Sequence, residues 1–194
     1  MTSTQRQADS EVANPGGQSR HVVLLVSIAS YLAGVLGLGA LIFAYAGEFP
    51  VGQIFRLTDN NIIAALVNIS LLVLFGLQHS VMARKSYKRW SAKHIEPALE
   101  RSMYVLASGL AILIMLIFWQ PLGGTAWQLT GKAEPLMWVA FVAGWAYLFA
   151  ATFAIDHFDL FGLRQAWFAF RRRAYKEVPF KENWMYRYSR HPIM

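Results

Sequence analysis

The stretch VVLLVSIASYLAGVLGLGALIFAYA, residues 22–46, contains no charged side chain. A helix needs roughly 20 apolar residues to cross the hydrocarbon core of a bilayer, so this run is long enough to span a membrane. The apolar core of a cleaved signal peptide covers only about 7–15 residues. The stretch therefore predicts an uncleaved transmembrane helix and places the chain among integral membrane proteins.

Three further stretches have the same character, at residues 62–83, 102–119 and 136–155. Hydrophobic residues make up 56% of the chain and charged residues only 15%, a balance that soluble domains rarely show. We therefore predict an all-α, multi-pass membrane bundle of four transmembrane helices, followed by a cytoplasmic amphipathic tail. Residues 1–20 are polar and predict a disordered cytoplasmic leader, which leaves 21–194 as the membrane domain.

The distribution of Lys and Arg predicts the orientation of the helices. From the leader to the tail, the five segments outside the predicted helices carry 2, 1, 6, 1 and 8 of these cations. Because cytoplasmic loops hold the excess of positive charge, both ends of the chain are expected on the cytoplasmic side of a bacterial inner membrane. Topology thus accounts for the net charge of +7, and no nucleic-acid partner is expected. The arginine triplet 171–173 is interpreted as a set of anionic-lipid contacts and a topology determinant.

Metal and thiol sites are not expected. The chain has no cysteine, which excludes disulfides and thiolate ligands or nucleophiles. Asp156, His157 and Asp159 would suit a metal, but only the two carboxylates have helical i, i+3 spacing and no second cluster supplies further ligands. Two interpretations of this acidic block stay open, a polar patch at a helix end or one wall of an active site that faces the cytosol.

A polar run, Gln78-His79-Ser80, interrupts the second apolar stretch near its predicted cytoplasmic end. Polar side chains at that depth are costly unless they face a partner helix or a cavity. Hydrogen bonding between helices and contact with a substrate or cofactor are both compatible with the run. Glu100, at the start of the third stretch, is explained by a favourable interaction with the helix dipole.

The segment YRYSRHP, residues 186–192, combines cations, aromatic rings and an imidazole. A cofactor with a carboxylate and an adenosine needs a guanidinium or backbone donors and an aromatic surface, which Arg190, His191 and Tyr188 offer. Pro192 suits the first turn of a helix. A basic anchor beside the membrane is the alternative interpretation of this segment.

Five segments occur in a characteristic order over residues 62–194. They are QHSVMAR (78–84), ERSMYV (100–105), FWQP (118–121), DHFDLFGLRQ (156–165) and MYRYSRHP (185–192). Together they resemble the bacterial methanethiol S-methyltransferases, which form part of the nurim-like branch of the membrane methyltransferases related to isoprenylcysteine carboxyl methyltransferase. The order of all five segments is far more specific than the Arg-His-Pro triplet alone.

The resemblance implies a multi-pass membrane enzyme that uses S-adenosylmethionine to methylate methanethiol, giving dimethyl sulfide. Arg190 and His191 match the family's cofactor-side motif, with Tyr188 beside them. The tyrosine that follows this motif in the family falls at Met194, a departure that removes one expected cofactor contact. In the family the motif continues into another membrane helix, so the resemblance implies that the domain is incomplete at its C-terminal end.

The expected chemistry needs a thiolate, because a small thiol is mostly protonated near neutral pH. A nearby cation or a histidine base raises the thiolate fraction, which makes His79 and His157 the candidate catalytic residues. The expected partners are a small volatile thiol and the lipid bilayer; the sequence indicates no oligomeric state. Two alternatives stay open. One is methylation of another thiol or of a prenylcysteine carboxylate, and the other is a non-catalytic membrane protein, either nurim-like or associated with nitrogen-oxide metabolism.

Overall fold

The computed structural model describes residues 19–52, 54–124, 130–131 and 133–179. This part of the chain contains helices and no β-strand, which confirms the predicted all-α class. The helices are α1 Arg20–Tyr45, α2 Asn61–Ala83, α3 Lys85–Ser91, α4 Glu100–Phe118, α5 Ala133–Ile155, α6 His157–Leu160 and α7 Leu163–Phe170. A 3-10 turn, Pro97–Leu99, leads directly into α4.

Four of these helices are long and apolar enough to cross a membrane, namely α1, α2, α5 and α4 with its leading turn. They coincide with the four predicted stretches to within a few residues at each end. Their large apolar side chains point outward, and Leu25 and Leu36 are each 65% exposed, whereas Ser27 and Ser30 are fully buried. Lipid, unlike water, solvates such an apolar exterior, so the fold is the predicted multi-pass membrane bundle.

Close contact between α1 and α4 forms the centre of the bundle. A Cβ atom added to Gly109 would lie 2.6 Å from the carbonyl oxygen of Ala33, and one added to Gly37 would lie 2.7 Å from the carbonyl oxygen of Gly109. In the same interface the buried hydroxyl of Ser102 donates to Ser27 Oγ over 2.8 Å. Small residues allow this approach, which supplies packing where no hydrophobic effect drives helices together.

Gln120 organises one end of the bundle, and its side chain is fully buried. Its Oε1 accepts from the backbone N–H of Leu57 at 2.7 Å, and its Nε2 donates to the carbonyl groups of Phe55 and Phe118 at 2.9 and 2.7 Å. Its own backbone exchanges two bonds with the Asn68 amide, at 2.7 and 2.8 Å. Because a buried amide is costly without partners, this full set of bonds fixes the loops at that end.

The opposite end gathers the start of α1, the segment 84–101 and the segment 156–179, and is called the basic end below. Val23, Leu99 and Ala166 form a buried cluster that joins these three parts. Helix α2 packs on α4, whereas α5 contacts the described chain mainly through α6. Both polar blocks of the sequence, Gln78-His79-Ser80 and 156–165, therefore lie at the basic end.

Candidate active site

His79 lies one turn before the end of α2 and faces α4 at the basic end. The Tyr104 hydroxyl is 2.7 Å from its Nε2 and 3.0 Å from its Nδ1, and Ser108 Oγ is 3.3 Å from Nδ1. Tyr104 and Ser108 share one face of α4 because they are four residues apart. Phe75, one turn earlier on α2, stacks on the imidazole with ring centroids 5.5 Å apart. The α2–α4 interface thus holds an imidazole between an aromatic ring and two hydroxyls.

Gln78 extends this cluster toward the end of the helix. Its Nε2 lies 3.2 Å from Met82 Sδ and 3.5 Å from Ser108 Oγ. Its Oε1 is buried and has no hydrogen-bond partner among the described residues. A buried acceptor without a donor costs free energy, so this oxygen is suited to a donor on a bound molecule.

A small cavity of about 80 Å³ adjoins the cluster. It is lined by Met82, Ala83, Lys88, Glu100, Arg101 and Tyr104. By the same measure one water needs roughly 10–15 Å³, so the cavity admits a molecule a few times larger than water. Lys88 Nζ and Glu100 Oε1 form an ion pair of 3.0 Å at its edge, whereas Arg101 has no carboxylate partner in the part of the chain described.

His157 occupies a different setting, at the junction of α5 and α6. It is only 6% exposed, and Phe153 stacks on it with centroids 4.4 Å apart and planes 6° from parallel. Its Nε2 lies 3.0 Å from the Tyr31 hydroxyl and its Nδ1 lies 2.9 Å from Thr152 Oγ1. Both ring nitrogens therefore have protein partners.

The partners of Thr152 determine which nitrogen of His157 carries the proton. The Thr152 hydroxyl donates to the carbonyl oxygen of Phe149 over 2.7 Å, so toward His157 it acts as an acceptor. Nδ1 then donates to Thr152, and Nε2 accepts from Tyr31. Burial lowers the pKa of His157 below its ordinary value, and the neighbouring Asp156 carboxylate opposes that shift. A neutral imidazole fits this chain of bonds.

The carboxylates of the acidic block are engaged in local structure. Asp156 accepts from the backbone N–H of Asp159 at 3.0 Å, which caps α6, and pairs with Arg164 at 2.9 Å. The Tyr175 hydroxyl donates to Asp159 Oδ1 over 2.6 Å. Burial and this bond to the Asp159 carboxylate raise the pKa of Tyr175 to about 12. Within the described ranges no group of three or more His, Asp or Glu side chains is placed to hold a metal ion.

The two candidate catalytic histidines thus belong to separate clusters, and no hydrogen bond or ring contact links those clusters in the described chain. Sequence reasoning did not select their partners Tyr31, Thr152 and Ser108, although Tyr104 and Ser108 have the i, i+4 spacing of a shared helix face. The predicted cofactor residues Tyr188, Arg190 and His191 lie outside the described residues.

Comparison with known proteins gives the context for this arrangement. A methanethiol S-methyltransferase of Mycobacterium tuberculosis is 38% identical over 181 residues, which cover 90% of this chain and 72% of that protein. Methanethiol S-methyltransferase 2 of Bradyrhizobium diazoefficiens is 41% identical over 179 residues, covering 91% and 68%. The chain belongs to the methanethiol S-methyltransferase family. The resemblance inferred from the five sequence segments is confirmed.

The chain also has a lower similarity to another membrane-associated protein, nurim. Nurim of Rattus norvegicus is 32% identical over 127 residues, covering 60% of this chain and 47% of nurim. No protein-family model matches the chain, and no solved structure matches it significantly. Membership of the methanethiol S-methyltransferase family identifies a methyltransferase.

Proposed function

We propose that this protein methylates methanethiol to dimethyl sulfide with S-adenosylmethionine, at the basic end of the α2–α4 interface. The observation that carries the proposal is the His79–Tyr104 pair, 2.7 Å apart, beside a cavity that Tyr104 itself lines. Family membership supports the reaction class, because relatives of 38% and 41% identity are named for this activity.

The size of the cavity favours a small acceptor. A space of about 80 Å³ has room for a thiol with a single methyl group. Met82 and Ala83 supply apolar wall, and the guanidinium of Arg101 supplies positive charge. A cation near the acceptor sulfur stabilises the thiolate relative to the thiol. The site is therefore suited to hold a small thiol and to promote its ionisation.

We assign the proton transfer to His79. Its imidazole would take the proton from the thiol, so that the thiolate sulfur could accept the methyl group that the sulfonium of the cofactor would supply. Tyr104 lines the cavity, and the hydroxyls of Tyr104 and Ser108, within 3.3 Å of the ring nitrogens, hold the imidazole beside it. Holding the two reactants close and aligned supplies most of the acceleration in such a displacement.

The residues present also fit the proposed cofactor. S-adenosylmethionine supplies an activated methyl group on a sulfonium, together with a carboxylate and an ammonium that require partners. Gln78 offers a buried acceptor without a donor, which suits the ammonium. We propose that Gln78 binds the ammonium, with Tyr188, Arg190 and His191 as further contacts and Arg190 as the partner of the carboxylate.

His157 is proposed as a positioning residue. Its ring is enclosed by aromatic side chains, and both of its nitrogens are engaged by Tyr31 and Thr152. A base must be reachable by the substrate, and His157 is only 6% exposed, whereas His79 is exposed. His157 instead holds the segment after α5 against α1, the segment that leads toward the predicted cofactor motif. The protein is further proposed to lie in a bacterial inner membrane with its basic end in the cytoplasm.

Headspace gas chromatography tests the proposed activity directly. Cells that express the protein and receive methanethiol should release dimethyl sulfide, and cells that express His79→Ala at the same level should release far less. Purified protein with methyl-labelled S-adenosylmethionine should transfer label to methanethiol and not to a prenylcysteine. Transfer to the prenylcysteine alone would assign the alternative acceptor, and no transfer to either would leave a non-catalytic nurim-like role.

A further inference from the structure

Helix α7 lies against the first turn of α1 and forms a surface of arginines and aromatic rings. This basic–aromatic patch consists of Arg20, Trp167, Phe170, Arg171, Arg172 and Arg173. The Arg20 guanidinium lies 5.6 Å from the centre of the Phe170 ring, and His21 meets the same ring edge-on at 5.3 Å. Ala166 is fully buried beneath the patch, so α7 is fixed to the bundle by its inner face.

The outer face of α7 carries an exposed aromatic next to a cation. Trp167 is 49% exposed, stacks on Phe170 with centroids 5.7 Å apart, and lies 5.2 Å from the Arg171 guanidinium. Tryptophan is enriched where a protein meets the head-group region, because its ring is apolar and its N–H is polar. An interfacial helix of this kind combines such aromatics with arginines.

The positive charge of the patch is not neutralised within the described chain. The ion pairs found there join Arg56 to Asp59, Lys88 to Glu100 and Arg164 to Asp156. None of them includes an arginine of the patch, and all four of these arginines are exposed. Four cations gathered at one end of a membrane bundle repel one another unless an anion lies between them.

The backbone at Arg172 gives a separate indication that this arginine has a role. Helix α7 ends with the Arg173 N–H donating to the Phe168 carbonyl group at 2.9 Å and the Arg172 N–H donating to that of Ala169 at 3.1 Å. In this type of helix end one residue adopts the left-handed conformation, usually glycine. Here Arg172 adopts it, with φ of 54°. A charged side chain therefore occupies a position that glycine would take with less strain.

We propose that the patch binds the phosphodiester head group of an anionic phospholipid, such as phosphatidylglycerol, in the leaflet next to α7. The guanidinium fork matches phosphate geometry, and several arginines together favour phosphate over a zwitterionic head group. A lipid fits better than a soluble polyanion, because Arg20 begins the membrane-spanning helix α1 and places the patch at the membrane boundary.

Thermal unfolding in neutral detergent tests this proposal. Short-chain phosphatidylglycerol should raise the unfolding temperature of the protein, and phosphatidylcholine of the same chain length should not. Substituting Arg171→Gln, Arg172→Gly and Arg173→Gln together should weaken the apparent affinity for phosphatidylglycerol by about fivefold for each arginine removed. The matched control Arg56→Gln, which removes an arginine at the other end of the bundle, should retain the full response.

The single variant Arg172→Gly separates binding from folding. Glycine suits the left-handed backbone, so the lipid-free variant should unfold at the same temperature as the parent or higher. The rise in its unfolding temperature on addition of phosphatidylglycerol should still be smaller than the rise in the parent protein. Equal responses to the two lipids, or an unchanged affinity in the triple variant, would overturn the proposal. An equal response to free glycerol phosphate would also overturn it, because the acyl chains would then be unnecessary.

Discussion

The Tyr31 hydroxyl donates to Nε2 of His157 across 3.0 Å, and so joins α1 to the segment that follows α5. The two residues are 126 positions apart in the sequence. From His157 the chain of bonds continues through Thr152 to the Phe149 carbonyl group on α5. Because α5 contacts the described chain mainly through α6, this buried line of bonds is a principal link between α5 and the rest of the bundle.

Replacing Tyr31 with phenylalanine should destabilise the protein. The phenyl ring keeps the edge-on contact with Phe161 but leaves Nε2 of His157 buried without a donor. We expect a loss of about 1–3 kcal/mol in the free energy of unfolding. Thermal unfolding in detergent measures the effect, with Tyr45→Phe at an exposed position as the matched control. Equal unfolding temperatures for the two variants would show that the bond contributes nothing.

The stability of the protein should fall as the pH falls through the range in which histidine titrates. Burial holds the pKa of His157 below its ordinary value near 6.5, so below that pH the unfolded chain binds a proton that the folded chain resists. The contribution of neutral His157 to the free energy of unfolding is therefore complete above pH 6.5. It is lost as the pH falls toward the pKa of His157 in the folded state. Unfolding temperatures measured at a series of pH values should show this decline in the parent and a weaker one in His157→Gln.

Gly109→Ala should disrupt the α1–α4 interface. The added methyl group would lie 2.6 Å from the carbonyl oxygen of Ala33, a backbone atom that moves only if the two helices separate. Overpacking of this kind typically costs about 1–3 kcal/mol. Gly39→Ala is the control, since a methyl group there meets nothing within 4 Å. The measurement is the fraction of each variant that remains monodisperse after solubilisation in detergent. A Gly109→Ala protein as stable as Gly39→Ala would contradict the close packing.

The fold could be read from the sequence because membrane spans follow from length and apolarity alone. The extents of α1, α2, α4 and α5 agree with the predicted stretches for that reason. The pairing of α1 with α4 could not be derived in this way. Small residues four positions apart in α1, such as Ser30 and Gly34, are typical of a helix interface, but they do not identify the partner helix.

The candidate site was only partly predictable for a similar reason. The polar run at 78–80 drew attention to His79, whose partners Tyr104 and Ser108 lie on a helix that the apolar pattern does not pair with α2. Of the two interpretations left open for the acidic block, the contacts fit a polar patch at a helix end, because Asp156 caps α6 and pairs with Arg164 and Asp159 accepts from Tyr175. A linear sequence shows which polar groups need partners, and tertiary packing decides which partners they find.

Reporter fusions test the orientation of the bundle. Fusions after residues 58, 92, 130 and 175 should report outside, inside, outside and inside, because the cations are concentrated in the second loop and the tail. The structure gathers the segments 84–101 and 156–179 at one end, so the reporters at 92 and 175 must agree with each other. A periplasmic signal at 92 would reverse the proposed orientation and remove the active site from the cytoplasm.

Substitutions of His79 and Arg190 should separate acceptor activation from cofactor binding. If His79 receives the thiol proton, His79→Ala should lower turnover by about 10²–10⁴-fold while leaving the affinity for S-adenosylmethionine unchanged. The loss should shrink as the pH approaches the pKa of the thiol itself, since the thiolate then forms without a base. If Arg190 binds the cofactor carboxylate, Arg190→Ala should instead weaken cofactor binding by about one to two decades, or roughly 1.5–3 kcal/mol.

The variant Tyr104→Phe tests whether the hydrogen bond of 2.7 Å between the Tyr104 hydroxyl and His79 Nε2 contributes to the reaction. The variant keeps the aromatic ring against His79 but removes the hydroxyl that orients the imidazole. Turnover should fall and its pH profile should shift, with cofactor affinity unchanged, whereas the loss of helix packing alone would lower stability at every pH. Labelled methyl transfer and calorimetric titration of S-adenosylmethionine measure the two quantities. Normal turnover at neutral pH in both His79→Ala and Tyr104→Phe would show that these two residues contribute to helix packing and not to the reaction.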